Sequence, residues 1–183
     1  FMALEKNEFE FLYSIKKTEK GIKDILMKQG NNVGIHLSKI SYNNFNNAKN
    51  EINRLKKISG KDIIFNRFHY LMLDIENSWN ILEKNQIKYD LTLGFPEIVG
   101  FRCGICYPFK LFDLKRKKKL NLTEIPLNIM DVTITKYMSG LKKENRNYLV
   151  SDVINNVKKY DGILNLLWHN NSYVDYLNSE NEE

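Results

Sequence analysis

The chain has 183 residues, of which 43% are hydrophobic, 12% aromatic and 27% charged, and its formal net charge is +6. This content supports one domain with a real hydrophobic core and argues against a disordered chain. The sequence shows no apolar run near the roughly 18–20 residues that span a bilayer, no signal-peptide pattern and only two cysteines, so we expect a cytoplasmic protein without a membrane span.

Helical and strand-like patterns alternate along the first half of the chain. Ile22, Ile25 and Leu26 stand at helical spacing and predict a helix over 17–28, with Gly30 as its stop. The patterns that follow predict, in order, a strand over 32–37, a helix over 45–58, a strand over 63–65, a helix over 75–85 and a strand over 89–93.

The second half opens with an irregular region over 94–112 that holds five glycines and prolines. Loops of this length inside a domain are often functional. One or two strands are predicted over 120–134, a helix over 143–160 and a strand over 163–168. Alternating helices and continuously apolar strands predict an α/β fold with a parallel sheet or barrel and outer helices.

All three histidines stand at or just beyond the ends of predicted strands. His36 and His169 each end one, and His69 follows another by a few residues. Ligands in parallel α/β folds gather beyond the carboxyl ends of the strands, so these histidines could converge with Arg102 of the long loop. The spacing of His36 and His69 matches no local zinc motif, and each histidine taken alone is also compatible with a packing or surface role.

Asp131 lies within a predicted apolar strand. A buried carboxylate is costly unless it is paired. We expect Asp131 either to orient a histidine or an arginine, or to satisfy a backbone group.

Two other motifs favour a structural interpretation. Cys103 and Cys106 form a C-x-x-C without the second pair that a zinc site needs. The basic run 115–119 could meet an anionic surface, but a solvated loop is the simpler interpretation.

The ordered segments 34–38, 66–70, 100–104, 126–131 and 167–170 together resemble the polysaccharide deacetylases of the NodB-homology group, carbohydrate esterase family four, in an uncharacterised bacterial subgroup. The resemblance covers nearly the whole chain. It implies a seven-stranded, distorted (β/α) barrel over 1–176 followed by a polar tail over 177–183. The implied activity is metal-dependent removal of N-acetyl groups from the amino sugars of a glycan.

The resemblance also implies roles for single residues. His36 and His69 resemble metal ligands, Arg102 resembles the arginine that tunes the base, and His169 resembles the general acid that Asp131 orients. The expected cofactor is a divalent metal, Zn²⁺ first and Co²⁺ or Ni²⁺ as alternatives. The expected partner is a glycan rather than a nucleic acid, and its expected contacts are Tyr107, Phe109 and Trp168.

One departure from the family pattern concerns the aspartate pair on the first strand, which supplies the base and a metal ligand. No Asp precedes Asp24 here, and residues 1–4 look like the tail of the second strand. We therefore expect the first strand to be missing, as in a processed chain or a gene fragment.

Three functions remain open on these grounds. The first is a deacetylase-type hydrolase that is partial, inactive or dependent on a substitute carboxylate. The second is a non-catalytic glycan-binding relative. The third is an anion or nucleic-acid binder that uses the run 115–119.

Overall fold

A computed structural model of the protein describes residues 20, 21, 23–26, 33–169 and 172. The chain divides into two compact units. Unit 1 comprises Phe1–Thr92 and Phe109–Glu124, and unit 2 comprises Leu93–Pro108 and Ile125–Glu183. The expected single domain over 1–176 stays a prediction, and the expected tail over 177–183 lies outside the described residues.

Unit 1 is built on a five-stranded sheet with the strand order β1-β2-β3-β5-β4. The first four strands in this order pair in parallel, and β4 runs antiparallel at the edge. The strands are β1 (Ile35–Leu37), β2 (Phe65–Phe68), β3 (Tyr89–Asp90), β4 (Phe109–Asp113) and β5 (Lys118–Glu124).

Helix α1 (Phe45–Ser59) confirms the prediction over 45–58 almost residue for residue. Asn44 caps its first turn by accepting a hydrogen bond from the backbone N–H of Asn47. Gly60 ends the helix in the left-handed conformation, with φ 68°. Four of the five residues on the predicted apolar face are buried, namely Ala48, Ile52, Leu55 and Ile58, while Phe45 in the first turn is exposed.

Helix α2 (Ser78–Lys84) begins later than the predicted start at residue 75. The reason is local turn chemistry, because the carboxylate of Asp74 accepts hydrogen bonds from the backbone N–H groups of Glu76 and Asn77. An Asp side chain that bonds the backbone two residues on forms a turn that competes with the helix. A short 3₁₀ turn, His69–Leu71, follows β2 directly.

Unit 2 contains the parallel pair β6 (Ile129–Met130) and β7 (Leu166–Leu167), joined through α3 (Lys143–Lys159). A single π-helical turn, Thr133–Tyr137, follows β6. The expected strand over 163–168 is thus shorter than predicted, and the expected strand region 120–134 divides between β5, β6 and this turn. The unit has its own apolar core of Val99, Ile129, Met138 and Val153.

The segment 109–119 differs most from the prediction, which gave an irregular loop to residue 112 and a solvated loop over 115–119. The structure instead forms a hairpin of β4 and β5. Leu111, Asp113, Leu120 and Leu122 are buried while their neighbours are exposed, which is the period-two burial of a sheet with one covered face. The sequence does not show this alternation clearly, because Phe112 and Leu114 are exposed while Asp113 is buried.

In the described part of the chain, the strands form two separate sheets of five and two strands. The fold is therefore a mixed α/β fold with a mostly parallel sheet, and a closed seven-stranded barrel stays a prediction. Among the described helices, none is long and apolar enough to cross a bilayer.

Candidate functional site

In unit 1, His36 and His69 lie side by side. Their ring centroids are 5.0 Å apart and their planes meet at 62°. His36 is the middle residue of β1, not its end as predicted, and His69 follows β2 directly. Since β1 and β2 are parallel neighbours with Leu37 opposite Phe68, the strand pairing brings the two imidazoles together.

The hydrogen bonding of His36 defines its tautomer. Its Nδ1 lies 2.9 Å from the carbonyl oxygen of Arg67. A carbonyl oxygen can only accept, so Nδ1 carries the proton and Nε2 keeps its lone pair. Burial, together with a smaller contribution from the neighbouring His69, lowers the pKa of His36 to about 3. His36 is therefore neutral near pH 7, as a metal ligand must be.

The imidazole pair, His36 with His69, fits two ligands of one metal ion. Two imidazoles bound to a tetrahedral Zn²⁺ through bonds of about 2.0–2.1 Å have ring centroids about 5 Å apart. Nδ1–H bonding to a backbone carbonyl, as in His36, is the usual way of orienting a ligating ring. Within the described residues, no three His, Cys, Asp or Glu side chains are grouped to hold a metal. Among the described residues, the pair could therefore offer two ligands but not a full set.

Arg67 connects the imidazole pair to a buried network that sequence reasoning missed. Its Nε donates to the carbonyl oxygen of Leu91 at 3.0 Å. Burial lowers the pKa of Arg67 to about 10, against the opposing attraction of Asp90 and Glu124. The guanidinium is therefore still charged near pH 7.

Asn66, Asp90 and Glu124 form a polar row across β2, β3 and β5, because these residues are opposite one another in the strand register. All three are at most 1% exposed. Asn66 and Thr92 both donate to Asp90 Oδ1, at 2.9 and 2.6 Å. Burial raises the pKa of Asp90 to about 6. The sequence signal for this row was one polar residue in each strand, with Asn66 early in β2 and Asp90 and Glu124 at the ends of β3 and β5.

The polar row faces away from the imidazole pair. His36 is opposite Arg67 in the register, one position after the row that contains Asn66 and Asp90. Side chains one residue apart on a strand point to opposite faces of the sheet. Asp90 and Glu124 are consequently not placed beside His36 as a substitute carboxylate.

In unit 2, Asp131 and His169 form a second arrangement. Asp131 follows β6 directly, rather than lying inside a strand, and His169 stands two residues after β7. Asp131 Oδ1 lies 2.7 Å from His169 Nδ1, and Asp131 Oδ2 accepts from the backbone N–H of His169 at 2.7 Å. Because Nδ1 is held by the carboxylate, Nε2 is the ring nitrogen left for proton transfer.

The carboxylate of Asp131 is fully buried but well compensated. The hydroxyl of Ser172 donates to Oδ2, and the backbone N–H of Val132 donates to Oδ1 at 2.7 Å. Burial opposes ionisation of Asp131, but these donors together with His169 outweigh it and lower the pKa of the carboxyl below its ordinary value. An ionised Asp131 can balance a positive charge on the His169 ring, whose side chain is 34% exposed.

Arg102 also belongs to unit 2. Its guanidinium donates to the carbonyl oxygen of Gly94 at 2.9 Å and lies 5.9 Å from the ring centroid of Phe95. Both contacts join residues within the same loop, so they stabilise the loop conformation. The expected role of Arg102 in tuning a base stays a prediction.

The three aromatic residues expected to contact a glycan belong to two different units. Phe109 begins β4 in unit 1, while Tyr107 and Trp168 are exposed side chains of unit 2. Tyr107 lines a cavity of about 480 Å³ beside the end of α3. Substrate contact by these residues stays a prediction.

The C-x-x-C motif contains no disulfide. Cys106 is buried, and its carbonyl oxygen accepts from the backbone N–H of Ile163 at 2.8 Å. This position agrees with the structural interpretation of the motif.

Much of the basic run 115–119 is paired with nearby side chains. Lys115 forms an ion pair with Glu76, Arg116 with Asp113 at 3.1 Å, and Lys118 with Glu83 at 3.2 Å. Cations that are already paired attract a further anion less strongly. The run therefore gives little support to the anion-binding alternative.

No protein-family model and no curated protein matches this chain. A solved structure from Mycobacterium smegmatis, described as a "putative polysaccharide deacetylase", is similar with a TM-score of 0.55 and 15% sequence identity. The similarity covers 85% of this chain and 55% of that one, so this chain spans about half the length of that protein. At this identity the likeness concerns the fold alone, a mixed α/β fold similar to that of the deacetylase.

Proposed function

We propose that the chain is a deacetylase-like hydrolase domain that acts, with a divalent metal, on N-acetylated amino sugars of a glycan. The observation that carries the proposal is the Asp131–His169 hydrogen bond of 2.7 Å beyond the carboxyl ends of two paired strands. The fold similarity to a deacetylase structure supports it. Carboxyl ends of parallel strands are the usual place for catalytic groups in such folds.

His169 is the general acid of this proposal. Amide cleavage needs a proton on the leaving amine, and a positioned imidazolium supplies it through Nε2 while Nδ1 stays bonded to Asp131. Asp131 is a positioning residue that fixes the ring orientation. A general acid is typically worth roughly 10²–10⁴ in rate.

The imidazole pair would hold the metal. His36 presents Nε2 because Nδ1 donates to Arg67, and His69 approaches from the adjacent strand. When bound, Zn²⁺, Co²⁺ or Ni²⁺ would polarise the acetamide carbonyl and promote ionisation of water. Water or substrate would complete the coordination.

The proposal assigns no residue as the general base. Asp90 and Glu124 lie in the polar row on the other face of the sheet from the imidazole pair. We therefore expect slow turnover at best. This observation favours a second candidate function, a non-catalytic glycan-binding relative.

Acetate release from chito-oligosaccharides, measured with the Zn²⁺-, Co²⁺- or Ni²⁺-loaded protein, tests the proposal. We expect slow, metal-dependent release that falls at least a hundredfold in His169→Gln. The matched control is Asn155→Gln, a conservative change of an exposed side chain on α3. Sugar binding in a titration without acetate release would support the non-catalytic alternative, and the absence of both would reject both candidates.

A further inference from the structure

Unit 1 contains a cavity of about 530 Å³ lined by four lysines. Lys49 and Lys56 come from α1, Lys84 from the last turn of α2, and Lys88 from the segment just before β3. All four are exposed residues. Asp62 is the only acidic residue among the described side chains that line the cavity.

This lysine-lined cavity is separate from the imidazole pair. Ile63 and Ile64, which also line it, precede β2, and Lys88 precedes β3. His69, in contrast, follows the carboxyl end of β2. The cavity therefore lies at the amino ends of the strands of unit 1, away from the imidazole pair.

The cavity keeps a positive charge after its neighbours are counted. Lys56 Nζ pairs with Asp62 at 2.5 Å, which removes one positive charge. The carboxyl ends of α1 and α2 each contribute about half a negative charge. Set against four ammonium groups, these leave about two positive charges at the cavity.

Helix capping explains only part of this cluster. Lys56 and Lys84 stand in the last turns of their helices, where a cation is stabilised by the helix dipole. Lys49 is in the second turn of α1 and Lys88 lies outside the helices, so neither gains from a carboxyl-terminal dipole. Lys49 Nζ instead lies 5.8 Å from the ring centroid of Phe45, and Lys88 attracts Asp62. These contacts are made by exposed side chains and leave both ammonium groups accessible to a ligand.

We propose that the lysine-lined cavity binds a ligand that carries phosphate groups, with at least two negative charges, such as a diphosphate. Lysine ammonium groups bind phosphate as point charges. The volume is within the range of roughly 300–1,000 Å³ found for small-molecule sites. The amide groups of Asn53 and Gln86 also line the cavity and can donate to phosphate oxygens.

The test is titration calorimetry of the full chain with inorganic pyrophosphate at low salt. The variant Lys84→Gln/Lys88→Gln removes two cavity cations. The matched control, Lys110→Gln/Lys119→Gln, removes the same charge from exposed positions on β4 and β5 that do not line the cavity. Circular dichroism checks that all three proteins are folded.

We expect saturable binding near one pyrophosphate per chain, weakened at least tenfold in the cavity variant and less than twofold in the control. Equal weakening in both variants would show diffuse charge attraction and overturn the proposal, as would absence of binding to the wild type. The phosphate groups could belong to a small diphosphate or to a phosphate polymer. Repeating the titration with long-chain polyphosphate distinguishes these two ligands, since a natural polymer ligand would bind the protein more tightly than pyrophosphate does. This test does not measure acetate release. Failure of the cavity proposal can therefore be distinguished from failure of the proposed hydrolase function.

Discussion

Asp131 binds His169 at two points, one oxygen facing ring Nδ1 at 2.7 Å and the other accepting the backbone N–H at 2.7 Å. A single carboxylate thereby sets both the path of the chain after β7 and the rotation of the imidazole. The hydroxyl of Ser172 donates to the same carboxylate, so Asp131 also fixes the chain three residues after the histidine. The orientation of His169 consequently depends on a buried charge, and removing that charge should affect folding as well as chemistry.

Replacing that charge in Asp131→Asn should lower the free energy of unfolding by about 1–3 kcal/mol at pH 7, because an amide cannot accept from all the donors that the carboxylate now satisfies. Urea denaturation measures the change. The control Asp152→Asn changes an exposed carboxylate on α3 and should stay within about 0.5 kcal/mol of the wild type. Equal stability of the two variants would contradict the assigned role of the buried carboxylate.

Ionisation of Asp90 should affect how the free energy of unfolding changes with pH. Burial raises the pKa of Asp90 to about 6 in the folded chain, above its ordinary value of 3.8. Between these values the folded chain binds more protons than the unfolded chain, so this residue lowers stability as pH rises from about 4 to 6. Asp90→Asn should remove that part of the decline in urea denaturation measured across this range.

A control for the Asp90 experiment is Asp152→Asn, which should leave the slope between pH 4 and 6 as in the wild type. The depressed pKa of Asp131 acts in the opposite sense, since its stabilisation is present above about pH 4 and lost as pH falls further. An unchanged slope in Asp90→Asn would mean that the folded chain does not hold this proton.

Metal binding should depend on two histidines and not on the third. His36→Ala and His69→Ala should each weaken Zn²⁺ binding at least tenfold in equilibrium dialysis, because loss of even an outer-shell partner commonly costs 10–100-fold. His169→Ala is the matched control, since His169 is bonded to Asp131 in unit 2. Zn²⁺ binding that falls equally in all three variants would argue against the imidazole pair as the site.

Gly162 should be intolerant of a side chain. A Cβ at this position would lie 2.8 Å from Cys106 Cβ and 2.9 Å from Cys106 O, and backbone atoms cannot move aside cheaply. We expect Gly162→Ala to reduce the free energy of unfolding by about 1–3 kcal/mol. Gly140→Ala is the control, because a Cβ there meets no atom within 4 Å. Thermal unfolding of the two variants would refute the packing argument if their midpoints were the same.

The sequence was most informative where a signal is local. The spacing of apolar residues and the Gly60 stop predicted α1 to within a residue or two, because helix periodicity and capping involve only neighbouring positions. The β4–β5 hairpin was missed because an exposed Phe112 and a buried Asp113 break the expected alternation of apolar and polar residues. The polar row of Asn66, Asp90 and Glu124 was missed because it exists only across three strands.

By itself, the sequence determined the alternation of helices and strands and the position of each histidine near a strand. The tertiary structure decided which polar groups meet. His36 reaches His69 because β1 pairs with β2, and Asp131 reaches His169, 38 residues away, because β6 pairs with β7. Such contacts depend on strand register, a relation between distant segments that local patterns do not encode.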